Sequence, residues 1–233
     1  MAATLLGTIL AILLALPVAA APGTVVQERL SSWPQWRLPV TLPRPGRGDL
    51  IYPHWFAGAW EVTSHSLEGD TSAPAGPAQE PPLHYRVDFI ADRRGRIVGA
   101  RAANAAAIGR AVLGHRLVSV EDDPANPNRQ LARQRDGSLL ETRVIGRQVL
   151  TLPPDQFLAD ELSLQVLHGE AAPRVSRVEV LSHYQLEADG TIRGEQWLAT
   201  YPSPTEGLMA SPRSLAQYEL RLVPLRPQSG PAS

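Results

Sequence analysis

Leu83-His84-Tyr85-Arg86-Val87-Asp88-Phe89 alternates apolar or aromatic residues with polar ones, without a break. Side chains of a strand point by turns to its two faces, so Leu83, Tyr85, Val87 and Phe89 share one side and His84, Arg86 and Asp88 the other. That is the pattern of an antiparallel strand with one face on a core and one in water. Asp92-Arg93-Arg94-Gly95 then turns the chain into Ile97-Val98-Gly99, which completes a hairpin.

The same reading extends outward. Upstream, Trp55-Phe56-Ala57-Gly58-Ala59-Trp60-Glu61-Val62-Thr63-Ser64 opens the folded region as a strand, and a Gly/Ala/Pro-rich loop follows over 68–82. Downstream, residues 102–113 predict one short helix, rich in alanine and closed by Gly114, with Ala105, Ile108 and Val112 on one stripe. Strand-like segments then recur at 116–121, 129–133, 139–144, 149–152, 162–168, 175–186, 192–201 and 215–223. Turn chemistry separates them: Asp122 to Asn128, Asp136-Gly137, Asp189-Gly190, a corner at Ile145-Gly146-Arg147, and Pro153-Pro154-Asp155, read as the start of a helical turn through Phe157. About ten strands joined mostly by hairpins predict a mainly β domain, an antiparallel barrel with one short helix, over residues 51–225.

The flanks read differently. Leu5 to Leu16 is uncharged and apolar apart from Thr8, and it runs into Pro17-Val18-Ala19-Ala20-Ala21-Pro22. A short apolar run followed by small residues is the export-signal pattern, with Val18 and Ala20 placing the cut after Ala20. Met1-Ala2-Ala3-Thr4 carries no Arg or Lys, which leaves an uncleaved membrane anchor as the alternative. Residues 21–50 are proline-rich and predict an extended arm, which Trp33 and Trp36 would pin to the domain. A disordered tail is expected over 226–233.

Composition excludes several chemistries. The chain has no cysteine, so disulfides, thiolate metal sites and cysteine nucleophiles are ruled out. Its net charge is −1, and its 22 basic residues are all arginine and scattered, which argues against nucleic acid as a partner. The six histidines, His54, His65, His84, His115, His168 and His183, show no metal-ligand spacing, and no Gly-x-Ser-x-Gly, phosphate loop or dinucleotide fingerprint is present. The acid pairs Asp122-Asp123 and Asp160-Glu161 read as solvated caps in turns. No catalytic residue, metal or cofactor is assigned, and a non-enzymatic role is expected. A hydrolase assembled across strands is the remaining enzymatic alternative.

The aromatic residues carry the binding expectation. Trp60, Tyr85, Phe89, Trp197, Tyr201 and Tyr218 fall on strands and are candidates to line a barrel cavity holding a small apolar ligand.

Two resemblances bear on this. Gly58-Ala59-Trp60, with Arg221 far downstream, resembles the lipocalin and calycin opening, where the indole closes the barrel base beside a basic residue of the last strand. That implies a calycin-like barrel with Trp60 and Arg221 as its closing pair. The stretches Asp49 to Ser64, Asp123 to Gln130 and Tyr218 to Leu225 resemble an uncharacterised family of cyanobacterial and plastid exported proteins. The resemblance implies a thylakoid-lumen or periplasmic home and supplies no catalytic residues. An accessory role for a thylakoid membrane complex is the alternative function, with the arm and the helix at 102–113 as its docking elements.

Overall fold

The structure, a computed structural model, describes residues 22–38, 42–67 and 81–225. The predicted leader, most of the predicted loop over 68–82 and the predicted tail lie outside the described residues. Eleven antiparallel strands form one sheet curled into a half-barrel. In chain order they are β1 (Ile51–Tyr52), β2 (Gly58–Leu67), β3 (Leu83–Ala91), β4 (Ile97–Gly99), β5 (Leu117–Asp123), β6 (Asn126–Gln134), β7 (Leu139–Leu152), β8 (Gln156–His168), β9 (Arg174–Leu186), β10 (Ile192–Tyr201) and β11 (Ser214–Pro224). From β6 to β11 each strand pairs with its predecessor, and β11 returns to pair with β2. β1 lies beyond β4 at the far edge.

One predicted corner lies inside a strand, and one predicted helical turn is a strand-to-strand turn. Residues 139–152 form one strand, and Ile145-Gly146 is a β-bulge within it. The bulge places two residues of β7 against one of β8 and resets the alternation. Gly146 suits this position because a Cβ there would sit 2.8 Å from Leu42 Cβ. Residues 153–155 are the turn between β7 and β8, and Phe157 belongs to β8, not to a helix. Asp160-Glu161 lies inside β8, so neither carboxylate caps a turn.

The sheet does not close on itself: β1 and β5 are its two edges. The helix α2 (Arg101–Leu113) packs against both β3 and β5 and occupies the seam between them. Where β4 ends, the Asn104 amide continues the ladder along β3. It accepts from Asp88 N–H at 2.8 Å and donates to Asp88 C=O at 2.9 Å. On the other side the N–H of Ala102 donates to Asp122 Oδ2 at 3.1 Å. The stripe of α2 toward the sheet runs through Ala105, Gly109 and Leu113, with Ile108 at its edge 40% exposed and Val112 57% exposed.

Alternation gives the sheet two buried faces. The inner face carries Trp60, Val62, Val87, Phe89, Phe157, Ile192, Leu220 and Leu222 around Phe56. The outer face carries Leu158, Leu162, Leu181, Trp197, Ala199 and Tyr201. What buries that outer face is the segment expected to be an extended arm. Its first part is instead a helix, α1 (Pro22–Ser31). Proline at the first helical position is compatible with a helix, and no proline lies between Pro22 and Pro34. Val26, Trp36 and Leu38 from this segment are fully or nearly fully buried on the outer face. Trp36 packs edge-on to Trp33 with ring centroids 4.9 Å apart, donates from Nε1 to Arg29 C=O at 2.8 Å, and receives the Arg29 guanidinium on its ring face. No helix among the described residues is long and apolar enough to cross a membrane.

Candidate functional site

A cavity of about 540 Å³ lies on the inner face, between α2 and strands β5 to β10. It exists because side chains are small where the helix bridges the seam: Ala105 and Gly109 on α2 face Ala132, Ser163 and Ser182 on the sheet. Gly109 lets the helix settle close, since a Cβ there would meet Leu117 Cδ2 at 2.8 Å. Leu113, Leu117, Val120, Leu140, Val178 and Val180 make much of the remaining wall apolar.

The polar part of the wall is organised. Gln196 Nε2 donates to Ser182 Oγ at 3.0 Å and to Tyr184 Oη at 3.2 Å. Glu161 Oε1 accepts from Arg147 Nε at 2.6 Å. The β7 bulge is what turns Arg147 to the inner face, opposite Glu161. Arg147 also donates to Gly48 C=O at 2.9 Å and to Asn128 Oδ1 at 2.8 Å, and the buried Asn128 amide donates to the carbonyls of Gly46 and Gly48. Tyr52 and Tyr184 also line the cavity, and burial raises both phenols above their ordinary pKa, so they stay protonated.

None of the six aromatic residues singled out from the sequence lines this cavity. Trp60, Tyr85, Phe89 and Tyr218 do face inward, but they pack in the solid core at the β2, β3 and β11 end. There the short 3-10 turn His54–Phe56 drives Phe56 into the half-barrel, against Tyr52, Phe89, Phe157 and Tyr184 at centroid separations of 4.8 to 5.8 Å. That ring cluster fills the space that a cavity would need. Tyr85 is buried enough that its phenol is pushed up to about 12. Trp197 and Tyr201 point the other way, to the outer face under α1. Their odd positions on β10 oppose the inward Ile192, Gly194 and Gln196.

The expected closing pair is also separated. Trp60 is opposite Pro224 in the β2–β11 register, and Arg221 is opposite Thr63, three residues away. An odd offset puts the two side chains on opposite faces. Trp60 is buried and donates to Phe56 C=O at 2.7 Å, whereas Arg221 is exposed and lies 3.8 Å from Asp189. Around Arg221 an open outer groove is lined by His65, Glu187, Asp189, Arg193 and Glu219. Arg193 pairs there with Glu187 and Arg221 with Asp189, and charged side chains dominate its wall, so the more apolar inner cavity is the better ligand site.

The residues under α1 were not recognisable as a cluster in the sequence. Arg29 donates from Nε and Nη2 to the two oxygens of Glu179, both at 2.6 Å, and from Nη2 to Tyr201 Oη at 2.9 Å. Tyr201 Oη donates to Glu179 Oε2 at 2.7 Å. Beside them Asp160 is fully buried, and among the described residues neither of its oxygens has a hydrogen-bond partner. Burial, reinforced by the nearby Glu179 charge, holds its carboxyl well above the usual carboxylate range.

The fold and site define a class: an antiparallel half-barrel bridged by a helix, with a mixed apolar and polar cavity between helix and sheet. The chain belongs to the family described as a domain of unknown function, DUF6816, which it matches over residues 44–227. No curated protein and no solved structure matches the chain.

Proposed function

We propose that this protein is a non-enzymatic, exported binding protein that holds a small apolar ligand in the cavity between α2 and the sheet. The cavity itself carries the reading: about 540 Å³ falls in the range of pockets that enclose small organic ligands, with an apolar wall and a few placed polar groups. No histidine is among the described residues of that wall. The apolar run of 5–16 and the small residues before Pro22 support export to a periplasm or thylakoid lumen, and a ligand drawn from the photosynthetic membrane, such as a pigment, lipid or quinone, suits that setting.

The test is binding and retention. Purified protein should enhance the fluorescence of the uncharged apolar probe N-phenyl-1-naphthylamine. Val180→Phe and Ser163→Phe, which fill the cavity from the sheet side, should abolish the enhancement while leaving the thermal melt cooperative. An unaltered probe signal in both folded variants would remove the cavity as the site. Mass spectrometry of protein incubated with membrane extract would then identify what is retained.

A second reading, an accessory role at a membrane complex, is favoured by one observation. Leu208 and Met209 are 73% and 81% exposed at the tip of a loop that Arg177 holds in place. Leu208→Ser with Met209→Ser should reduce capture of that complex without altering probe binding.

A further inference from the structure

We infer that the cavity selects an uncharged apolar molecule with a hydroxyl head and rejects the matching carboxylate. This rests on the reading of the cavity as a ligand site.

Glu161 is the one charged side chain among the described residues of the cavity wall. Its countercharge, Arg147, is only 8% exposed and already spent. The guanidinium donates to Glu161, to Gly48 C=O and to Asn128 Oδ1, and so stands behind the carboxylate instead of in front of it. A ligand entering the cavity therefore meets Glu161 before any cation. Oε1 of Glu161 is taken by Arg147, and Oε2 remains an acceptor. Gln196 is oriented to the same effect. Its amide nitrogen donates to Ser182 and Tyr184, which leaves its carbonyl oxygen as an acceptor.

These two acceptors suit a ligand O–H. An ionised carboxylate has no proton to give them. It would add a second negative charge beside Glu161, whose side chain is only 26% exposed, and like charges held that close repel. The Glu161–Arg147 pair is neutral as a unit, so an uncharged head leaves that balance undisturbed. The apolar wall of α2, β5 and β9 takes the hydrocarbon body.

Three probes of one chain length separate these terms: decanol, methyl decanoate and decanoate at pH 8, each displacing N-phenyl-1-naphthylamine from the full chain. Decanol should displace the dye at a concentration at least tenfold below methyl decanoate, which is uncharged but has no donor, and further still below decanoate. Glu161→Gln, which leaves the Arg147 charge uncancelled, should raise decanoate affinity at least tenfold. Should that variant lose its cooperative melt, Arg147→Met combined with Glu161→Gln removes both charges and should narrow the gap between decanol and decanoate by a similar factor. Decanoate binding as tightly as decanol to the wild type, or a gap unchanged in a folded variant, would overturn the inference. Failure of the dye and all three probes to bind would instead overturn the ligand-binding reading beneath it.

Discussion

Arg29 and Glu179 meet end to end, Nε on Oε1 and Nη2 on Oε2, both at 2.6 Å, although 150 residues separate them in the chain. The pair joins the N-terminal helix to the middle of the sheet. Glu179 is wholly buried, so removing Arg29 strands a charge in the interior. Arg29→Met should destabilise the protein by about 3–5 kcal/mol, while Arg29→Met with Glu179→Met should recover most of that loss. Urea denaturation of the two variants checks this. A double variant no better than the single one would refute it.

Asp160 gives a pH dependence of definite sign. Its folded-state pKa lies well above that of the unfolded chain. Below about pH 4 both states hold the proton and the group adds nothing to the pH dependence of stability. As pH rises toward the folded-state pKa, the unfolded chain ionises first, so stability falls by up to about 1.4 kcal/mol per pH unit. Asp160→Asn removes the titration while keeping the shape. The stability of this variant relative to wild type should therefore increase between pH 4 and pH 7, as measured by chemical denaturation across that range.

Trp36 should be among the costliest truncations in the N-terminal segment. It is 1% exposed and holds both Arg29 and Trp33. Trp36→Ala should cost about 3–5 kcal/mol. Because every basic residue is arginine, trypsin reports the detachment directly: cleavage after Arg29 and Arg37 should accelerate in the variant.

Gly194 tests how the sheet shapes the cavity. A Cβ there would meet the Tyr184 ring at 3.0 Å and Leu220 Cβ at 3.1 Å. Gly194→Ala should cost about 1–3 kcal/mol through overpacking and, by displacing Tyr184 from the wall, weaken dye binding. A melt and a dye titration read the two effects separately.

Arg177 donates to the carbonyls of Pro202, Gly207 and Leu208. A lysine ammonium lacks the planar fork that reaches all three. Arg177→Lys should destabilise by about 1–3 kcal/mol and expose Leu208 and Met209 to faster chymotryptic cleavage.

Much of the sheet is readable in the chain because alternation and turn chemistry are local. β4 and β10 lie where the sequence places them, and β3 continues only two residues beyond Phe89. The helix, predicted over 102–113, differs from α2 by one residue. The misreadings come from partners distant in sequence. Trp197 and Tyr201 look like cavity residues until α1 is seen to cover the outer face, which gives central strands two apolar sides and hides which side is inward. Arg221 and Trp60 resemble a pair in composition, but the β2–β11 register separates them by parity. The true cavity wall is harder to find because it is defined by small residues, Ala105, Gly109, Ala132 and Ser163, whose importance is the volume they leave. Asp160 gives no signal in the sequence: a buried, unpaired carboxyl looks there like any solvated one.

The helix in the seam has a mechanical consequence. Along the rest of the curl, widening the half-barrel would tear a backbone ladder. At the seam α2 is fastened to β3 by Asn104 and Ala100, both bonded to Asp88, while along its length it meets β5 largely through side-chain packing such as Gly109 against Leu117. The two margins are therefore held by different forces, hydrogen bonds to backbone on the β3 side and mostly side-chain packing on the β5 side, so the size of the interior is set by how closely a helix seats and not by the strand count alone.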